Sequence, residues 1–553
     1  MPGDSNLCDA LREWKMVLKE HQIFIDTEKL KKYIGTTGID CTYPEAVLLP
    51  ISTEEVSAVA RIASKYQVPI YPISCGKNWG YGDACPPTNG QVIVDLGQMN
   101  RIIEVNSKLA YAVIEPGVTQ GQLFKYLAEN KTPLWMDATG AGPDTSLVGN
   151  TVDRGFGHTR YGDHFHNTCG MEVVLADGRI LQTGFGHYHE ARGKYVYRYG
   201  IGPVLDGIFS QSNFGIVTRI GIWLMPKPED FCAFFFSCPN ETDLADVIDI
   251  LAPLKLQGVL PSAIHIANDL RTISGRVGYP WHLANGITPL SDALKVELRN
   301  RFGFGAWNGC GSISGPKKVV SAIRKDLKKT LKSYRPIFLN DRNLDAAERW
   351  ARILGKLGVA KKLSERLAVV RPTYEMLKGV PVTEHLKGAC WRVRDRNGKN
   401  LLNPLEAGAG LIWISPILPL EGAQAQELVN LLSTTYQKHG FETLVTFTLL
   451  TERALCCVSN ISFDRNNKDE LEKARDCYED MTTQMMNRGL FPYRVGPLGF
   501  EKLNLKSTVF WDVVKDIKTA LDPHGIMSPG RYEPPSLADL SVTPIPRAKN
   551  RLA

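Results

Sequence analysis

Residues 68–82 read VPIYPISCGKNWGYG, a short apolar run from Val68 to Ile73 that breaks into Ser74-Cys75-Gly76-Lys77-Asn78-Trp79-Gly80-Tyr81-Gly82. The run has the length of a buried strand, and its glycine-rich exit is where a backbone can turn sharply. Upstream, Val47-Leu48-Leu49-Pro50 reads as another short strand. Between them Ser52-Thr53-Glu54-Glu55 offers an oxygen-bearing cap and early acids to an amphipathic helix reaching about Tyr66. The chain therefore opens on a β-α-β unit. Glycines at the end of its second strand let backbone N–H groups approach an anion with no Cβ in the way, as a pyrophosphate requires. A tight β-turn explains the same residues equally well.

Two further glycine-rich turns follow. Gly140-Ala141-Gly142-Pro143-Asp144-Thr145-Ser146-Leu147-Val148-Gly149-Asn150-Thr151 leads into Arg154-Gly155-Phe156-Gly157-His158, and Ser212-Asn213-Phe214-Gly215-Ile216-Val217-Thr218 comes later. Short strands separate them: Val92 to Leu96, Ile102 to Val105, Tyr111 to Ile114, Met171 to Leu175 and Ile216 to Met225, with one helix near 118–130. Three glycine turns between strands suit an extended dinucleotide such as FAD better than a compact phosphate. No GxGxxG follows the opening strand, and GxxxxGK[ST], HExxH and GxSxG are absent, which removes the dinucleotide fold of dehydrogenases, phosphate-loop NTPases, zincins and serine hydrolases.

After Pro226-Lys227-Pro228 the units lengthen: Phe231 to Phe236, an amphipathic helix near 241–252, and Ala263 to Ile266. Pro316 to Arg335 carries eight Lys or Arg at helical spacing around Val319, Ile323, Leu327 and Leu331, which reads as the solvated face of an amphipathic helix. The expected class is α+β: an N-terminal helical arm over 1–40, a first domain over 41–228, a second domain over 229–490 and a final segment over 491–553.

Composition sets wide bounds. With 553 residues, 43% hydrophobic and 22% charged, the chain is a multi-domain globular protein and not a disordered one. A formal charge of +7 is too thin for a nucleic-acid groove. No apolar run approaches the roughly 20 residues of a membrane helix, and no signal-peptide core opens the chain. Twelve cysteines without a CxxC pair suggest reduced thiols and a cytoplasmic home, and Asn550-Arg551-Leu552-Ala553 matches the peroxisomal tripeptide poorly. His158, His164, His166, His187 and His189 cluster in sequence near Cys169. Two HxH pairs on a strand would turn their rings to one face, so a metal site competes, but no acidic ligand with cupin-like spacing accompanies them and no metal is expected.

The motifs together resemble the vanillyl-alcohol oxidase and p-cresol methylhydroxylase family of flavoproteins. The resemblance rests on Pro72 to Gly82, on Gly149-Asn150-Thr151-Val152-Asp153-Arg154-Gly155, on Tyr161-Gly162-Asp163-His164 and on Ser210-Gln211-Ser212-Asn213-Phe214-Gly215-Ile216-Val217-Thr218. It continues through Leu377 to Pro381, Leu411 to Pro416 and Asp522 to Arg531, covering the chain from about residue 40. It implies an FAD domain of the p-cresol methylhydroxylase type over 41–228, a substrate or cap domain over 229–490, a C-terminal segment over 491–553 that returns to the first domain, and bound FAD. The cofactor would be held by Ser74, Cys75, Gly76, Lys77, Asn78, Trp79, Gly80 and Tyr81, then by Gly142, Gly149 and Asn150. Arg154, Gly155 and Gly157 follow, with Tyr161, Gly162 and Asp163, then Gly215, Ile216 and Val217, and finally Arg531. Tyr81, Tyr493 and Arg494 would bind the oxygen of a para-substituted phenol, and Asp163 would act beside the reactive flavin nitrogen.

Relatives that tether FAD often use a histidine in the strand after the TFT segment. Here Thr446-Phe447-Thr448 leads to Cys456-Cys457 and no histidine. The resemblance therefore implies non-covalent FAD, with Cys456 or Cys457 as the alternative attachment, and Asp83 after the GYG turn is a second departure. The implied activity is hydride removal from the benzylic carbon of a phenol by an oxidase, with molecular oxygen as the second substrate and a homo-oligomer as the assembly. A dehydrogenase passing electrons to a protein or quinone is the runner-up. A flavin-binding protein without turnover is the reading from a different class.

Overall fold

The computed structural model describes residues 4–355, 361–502 and 508–533; the Pro-rich tail and the last four residues lie outside them. The opening β-α-β unit forms as its residues dictate. Ser52 caps the helix Thr53–Tyr66 by accepting from the Glu55 N–H at 3.2 Å. Ala46–Leu48, Val92–Asp95 and Ile70–Ile73 then run parallel, with Ile23–Phe24 antiparallel at one edge. The N-terminal helix Asp4–Val17 lies on Thr53–Tyr66, where the buried Trp14 donates to the Val59 carbonyl. A second sheet, five strands and antiparallel, is ordered Ile102–Asn106, Tyr111–Ile114, Ile216–Trp223, Thr168–Val174, Ile180–Gln182.

The region after residue 228 is built on a long antiparallel sheet. Its order is Ile337–Leu339, Asp230–Cys238, Trp307–Gly315, Ile264–Asn268, Val445–Leu449, Ala454–Asp464, Ala409–Ile414, with Ile417–Pro419 also pairing to Ala454–Asp464. The period of two sorts its side chains. Ile264, Ile266, Val445, Phe447, Leu449 and Cys457 enter a core with the helices Asp243–Leu256, Gly422–Lys438 and Lys468–Asn487. His265, Ala267, Thr446, Thr448 and Val458 alternate with them and face a cavity on the opposite side. The basic helix Lys317–Thr330 buries Val320 and Leu327 and leaves its lysines outside.

The chain end returns to the first sheet. Helix Thr508–Leu521 is followed by Asp522, whose carboxylate accepts from the Ile526 and Met527 N–H groups at 3.0 and 2.8 Å. Met527 pairs with Ile70, so the closing turn lies beside the decisive strand and carries Arg531 to its glycine-rich exit. Among the described residues no helix is long and apolar enough to cross a membrane.

Candidate active site and cofactor cradle

A cavity of about 940 Å³ runs between the two sheet systems. Its floor is the first turn, in which Gly76, Gly80 and Gly82 have φ of +62°, +77° and +112°. The second turn enters helix Leu147–Val152, where Ser146 accepts from the Gly149 N–H at 2.9 Å. A Cβ at Gly149 would stand 2.7 Å from Ser74 Oγ, so the two turns meet only because position 149 lacks one. Of the residues expected to hold the cofactor, Ser74 to Trp79, Tyr81, Gly149, Asn150, Gly155, Gly215 to Val217 and Arg531 line this cavity. Trp79 Nε1 is buried there without a hydrogen-bond partner. Glycine turns, free donors and a long aromatic-lined space fit a dinucleotide carrying an aromatic ring system.

Seven expected residues stand elsewhere. Gly80 packs on Trp413 and donates to Thr37 Oγ1 at 2.8 Å, and Gly142 sits against Leu386. Arg154 is exposed with its Nε on Ser210 Oγ at 2.9 Å. Gly157 pairs with the Gly162 carbonyl and leaves room for Asp137, while Tyr161 stacks under Arg160. Asp163 is not among the residues that line the cavity, and its carboxylate accepts from the His166 N–H at 3.1 Å, an Asx-type turn. Nor do the HxH pairs share a strand. His164 lies in a turn, held by Asp137 and Asn150 at 2.6 Å each, and His187 ends the short 3₁₀ helix Gly184–His187. Among the described residues no three His, Cys, Asp or Glu are placed to hold a metal.

Tyr81, Tyr493 and Arg494 do come together. The Arg494 guanidinium lies 4.2 Å from the Tyr81 ring centre, and the Tyr81 hydroxyl meets Ser415 Oγ at 3.0 Å. Burial pushes the Tyr81 phenol up to about 12 against the pull of Arg494, and it drives Tyr493 well above its ordinary value, so both stay protonated donors. Arg494 Nη2 binds Asn78 Oδ1 and Asp153 Oδ2, whereas its Nε is buried without a partner.

Asp153 is the residue the sequence reading left without a role. Its other oxygen accepts from Arg531 Nη2 and from the Tyr532 hydroxyl, both at 2.9 Å. Burial alone would raise its pKa, but the two arginines outweigh that and hold it at about 2. Asp83 also lines the cavity. It is turned onto Thr37 of the N-terminal segment, bound to its N–H and hydroxyl, and burial raises it to about 6.

Comparison with known proteins places this geometry. Residues 44–184 match the FAD binding domain, and residues 378–532 match the C-terminal domain of FAD linked oxidases. A 1'-carboxy-chondrochloren decarboxylase of Chondromyces crocatus is 37% identical over 493 residues, 88% of this chain and 90% of its own. The 4-cresol dehydrogenase flavoprotein subunit of Pseudomonas putida is 29% identical over 94% of each chain. A crystal structure of p-cresol methylhydroxylase with substrate bound superposes with a TM-score of 0.86 at 27% identity, covering 96% of this chain and 97% of that one. The chain belongs to the p-cresol methylhydroxylase family. It is an FAD-linked oxidoreductase. The 4-ethylphenol oxidase of Gulosibacter chungangensis, in complex with isoeugenol, has the same fold with a TM-score of 0.87 at 27% identity, over 97% of this chain and 98% of that one.

Within this family fold the two cysteines part company. Cys457 is packed in the cap core, while Cys456 shares the cavity side of its strand with Val458 and lies near Tyr81 and Tyr493. Burial holds both thiols well above their ordinary value, against the thiolate that attack on a flavin methyl needs. Acid precipitation of the holoenzyme is expected to leave the yellow colour in the supernatant. A coloured pellet that turns colourless in Cys456→Ser would reverse this and locate the bond.

Proposed function

We propose that the enzyme oxidises the benzylic carbon of a para-substituted phenol. The observation that carries this is the convergence of Tyr81, Tyr493 and Arg494 on one end of the cavity, with the Arg494 Nε free to bind. Two phenol donors and a guanidinium that stays charged would hold the substrate oxygen as a phenolate, whose electron release loosens the para benzylic hydride. Bound FAD supplies the acceptor for that hydride. Asp153 and Asn78 fix Arg494, Ser415 fixes Tyr81, and the cap sheet closes the site to bulk water.

The quinone methide left behind has two fates. Addition of water calls for a base, and of the carboxylates along the cavity Asp83 is engaged by Thr37 and Asp153 by two arginines, which leaves Glu384 and the neutral histidines His158, His265 and His385 to serve. Loss of a carboxylate from the neighbouring carbon needs none. The carbon–carboxylate electron pair becomes the new double bond, the phenolate is restored, and carbon dioxide leaves. The decarboxylase among the relatives favours this second fate.

Anaerobic mixing with 4-ethylphenol, vanillyl alcohol and phenols bearing a carboxylate on the side chain is expected to bleach the visible flavin band. Air should restore it within seconds for an oxidase and only slowly for a dehydrogenase with another acceptor. A panel that bleaches nothing would overturn the reading in favour of a flavoprotein without turnover.

A further inference from the structure

We propose that Arg271 is a carboxylate-binding subsite, so that the substrate is a phenol whose para side chain carries a carboxylate. The inference deepens the phenol reading and rests on it. Arg271 stands on the short helix Asp269–Ser274 and lines the same cavity. Asn460 Oδ1 takes one of its donors at 2.8 Å, and among the described residues no carboxylate lies within ion-pair distance of it. Arg276 on the same cavity likewise has no ion pair among the described residues, its Nη1 donating to the Ala368 carbonyl, but other secluded arginines do. Arg392 is paired with Glu442 and Glu470, Arg299 with Asp269, and Arg494 and Arg531 with Asp153. A secluded guanidinium without a counter-ion is costly, and the chain has met that cost with an acid at each of these other sites. Burial lowers the Arg271 pKa to about 10 with no acid pulling it back, yet it stays a cation at neutral pH.

The surroundings complete the case. His158 and His265 lie ring to ring at 4.4 Å, and His385 faces the same space. Burial depresses all three, so they are neutral and can donate without opposing an anion. The Nε2 atoms of His265 and His385 have no hydrogen-bond partner. The two cations also border one aromatic cluster. Arg271 lies 5.4 Å from the Trp413 ring centre, Trp413 stacks on Tyr81 at 6.3 Å, and Arg494 lies 4.2 Å from the Tyr81 ring centre, all four lining the same cavity. A molecule with its phenol oxygen at Arg494 would thus have a second cation, Arg271, within the same aromatic-lined space for its carboxylate. Arg271 retains enough free donors for a bidentate grip.

The test is a titration of the holoenzyme, read as perturbation of the visible flavin band, with 3-(4-hydroxyphenyl)propionate and with its neutral primary amide. The acid is expected to bind about tenfold or more tightly than the amide, the scale of a charge-assisted hydrogen bond. The ratio should fall to within about twofold in Arg271→Gln and be partly kept in Arg271→Lys, which retains charge but not the fork. If Arg271→Gln fails to fold, the fall in Arg271→Lys decides. Equal binding of acid and amide by the native enzyme, or a ratio untouched by both substitutions, would overturn the subsite and leave the phenol reading standing. Failure of acid, amide and 4-ethylphenol alike to bind would overturn both. A loss of FAD content in Arg271→Gln with the acid preference intact would assign the arginine to the cofactor instead.

Discussion

Asp153→Ala is expected to destabilise the protein by about 3–5 kcal/mol, the usual consequence of deleting one partner from a buried ion pair. Two guanidinium groups depend on this carboxylate, Arg494 from the segment after the cap and Arg531 from the closing turn, and the Tyr532 hydroxyl donates to it as well. Without it both charges remain in a site where side chains exclude most water, and nothing nearby can neutralise a guanidinium. Asp153→Asn keeps the shape and one acceptor oxygen and should fall between the two. The urea midpoint is the direct measurement, and an unchanged midpoint in Asp153→Ala would show that the arginines find other partners. The pH dependence gives a second check. The folded pKa of about 2 lies below the ordinary carboxylate value, so the contribution is fully present above about pH 4 and is lost as pH falls toward 2. Asp153→Ala should therefore lose less stability than the native protein across that interval.

The parts of this molecule that announce themselves in sequence are those decided by neighbours. Ser52, the apolar run ending at Ile73 and the glycines that follow specify their own conformations, and the structure has the cap, the strand and the positive φ angles in place. Asp153 was quoted within a motif yet carried no signal, because its partners are 341 and 378 positions away and nothing local marks a carboxylate as a junction. Asp163 is ambiguous for the opposite reason. A Gly-Asp turn satisfied by its own backbone has the same letters as one aimed at a cofactor, and only the fold separates them. The pair Cys456-Cys457 shows what periodicity alone can give: on a strand the two must face opposite ways, but which one meets the cavity depends on where the cap helices pack. The clamp of Thr37 on Gly80 and Asp83 was equally hidden, since it joins the N-terminal segment to the turn that bears Tyr81. Arg271 shows the same limit, being one arginine among many until the absence of an acid around it is visible.

Arg494→Gln is expected to slow flavin reduction by a phenol such as 4-ethylphenol by about 100-fold near neutral pH, with a smaller loss for Tyr493→Phe. The size follows from what the guanidinium would do. Hydride departs from a phenolate, and a free phenol with a pKa near 10 is almost wholly protonated at pH 7. A charged donor fixed on the oxygen is worth about 1.5–3 kcal/mol, which lowers the bound phenol pKa by roughly one to two units and raises the reactive fraction in proportion. Glutamine keeps a donor and removes the charge, so it isolates this contribution. The pH profile separates it from mere disorder of the site. In the native enzyme the rate of the anaerobic reductive step should level off below pH 10, where the bound phenol is already ionised. In Arg494→Gln it should climb about tenfold per unit toward the pKa of the free phenol and recover most of the native rate there. Stopped-flow reduction across pH 6 to 10 measures both. A uniform loss at every pH would mean that Arg494 serves to position Tyr81, over whose ring it lies, and that the phenolate is stabilised elsewhere.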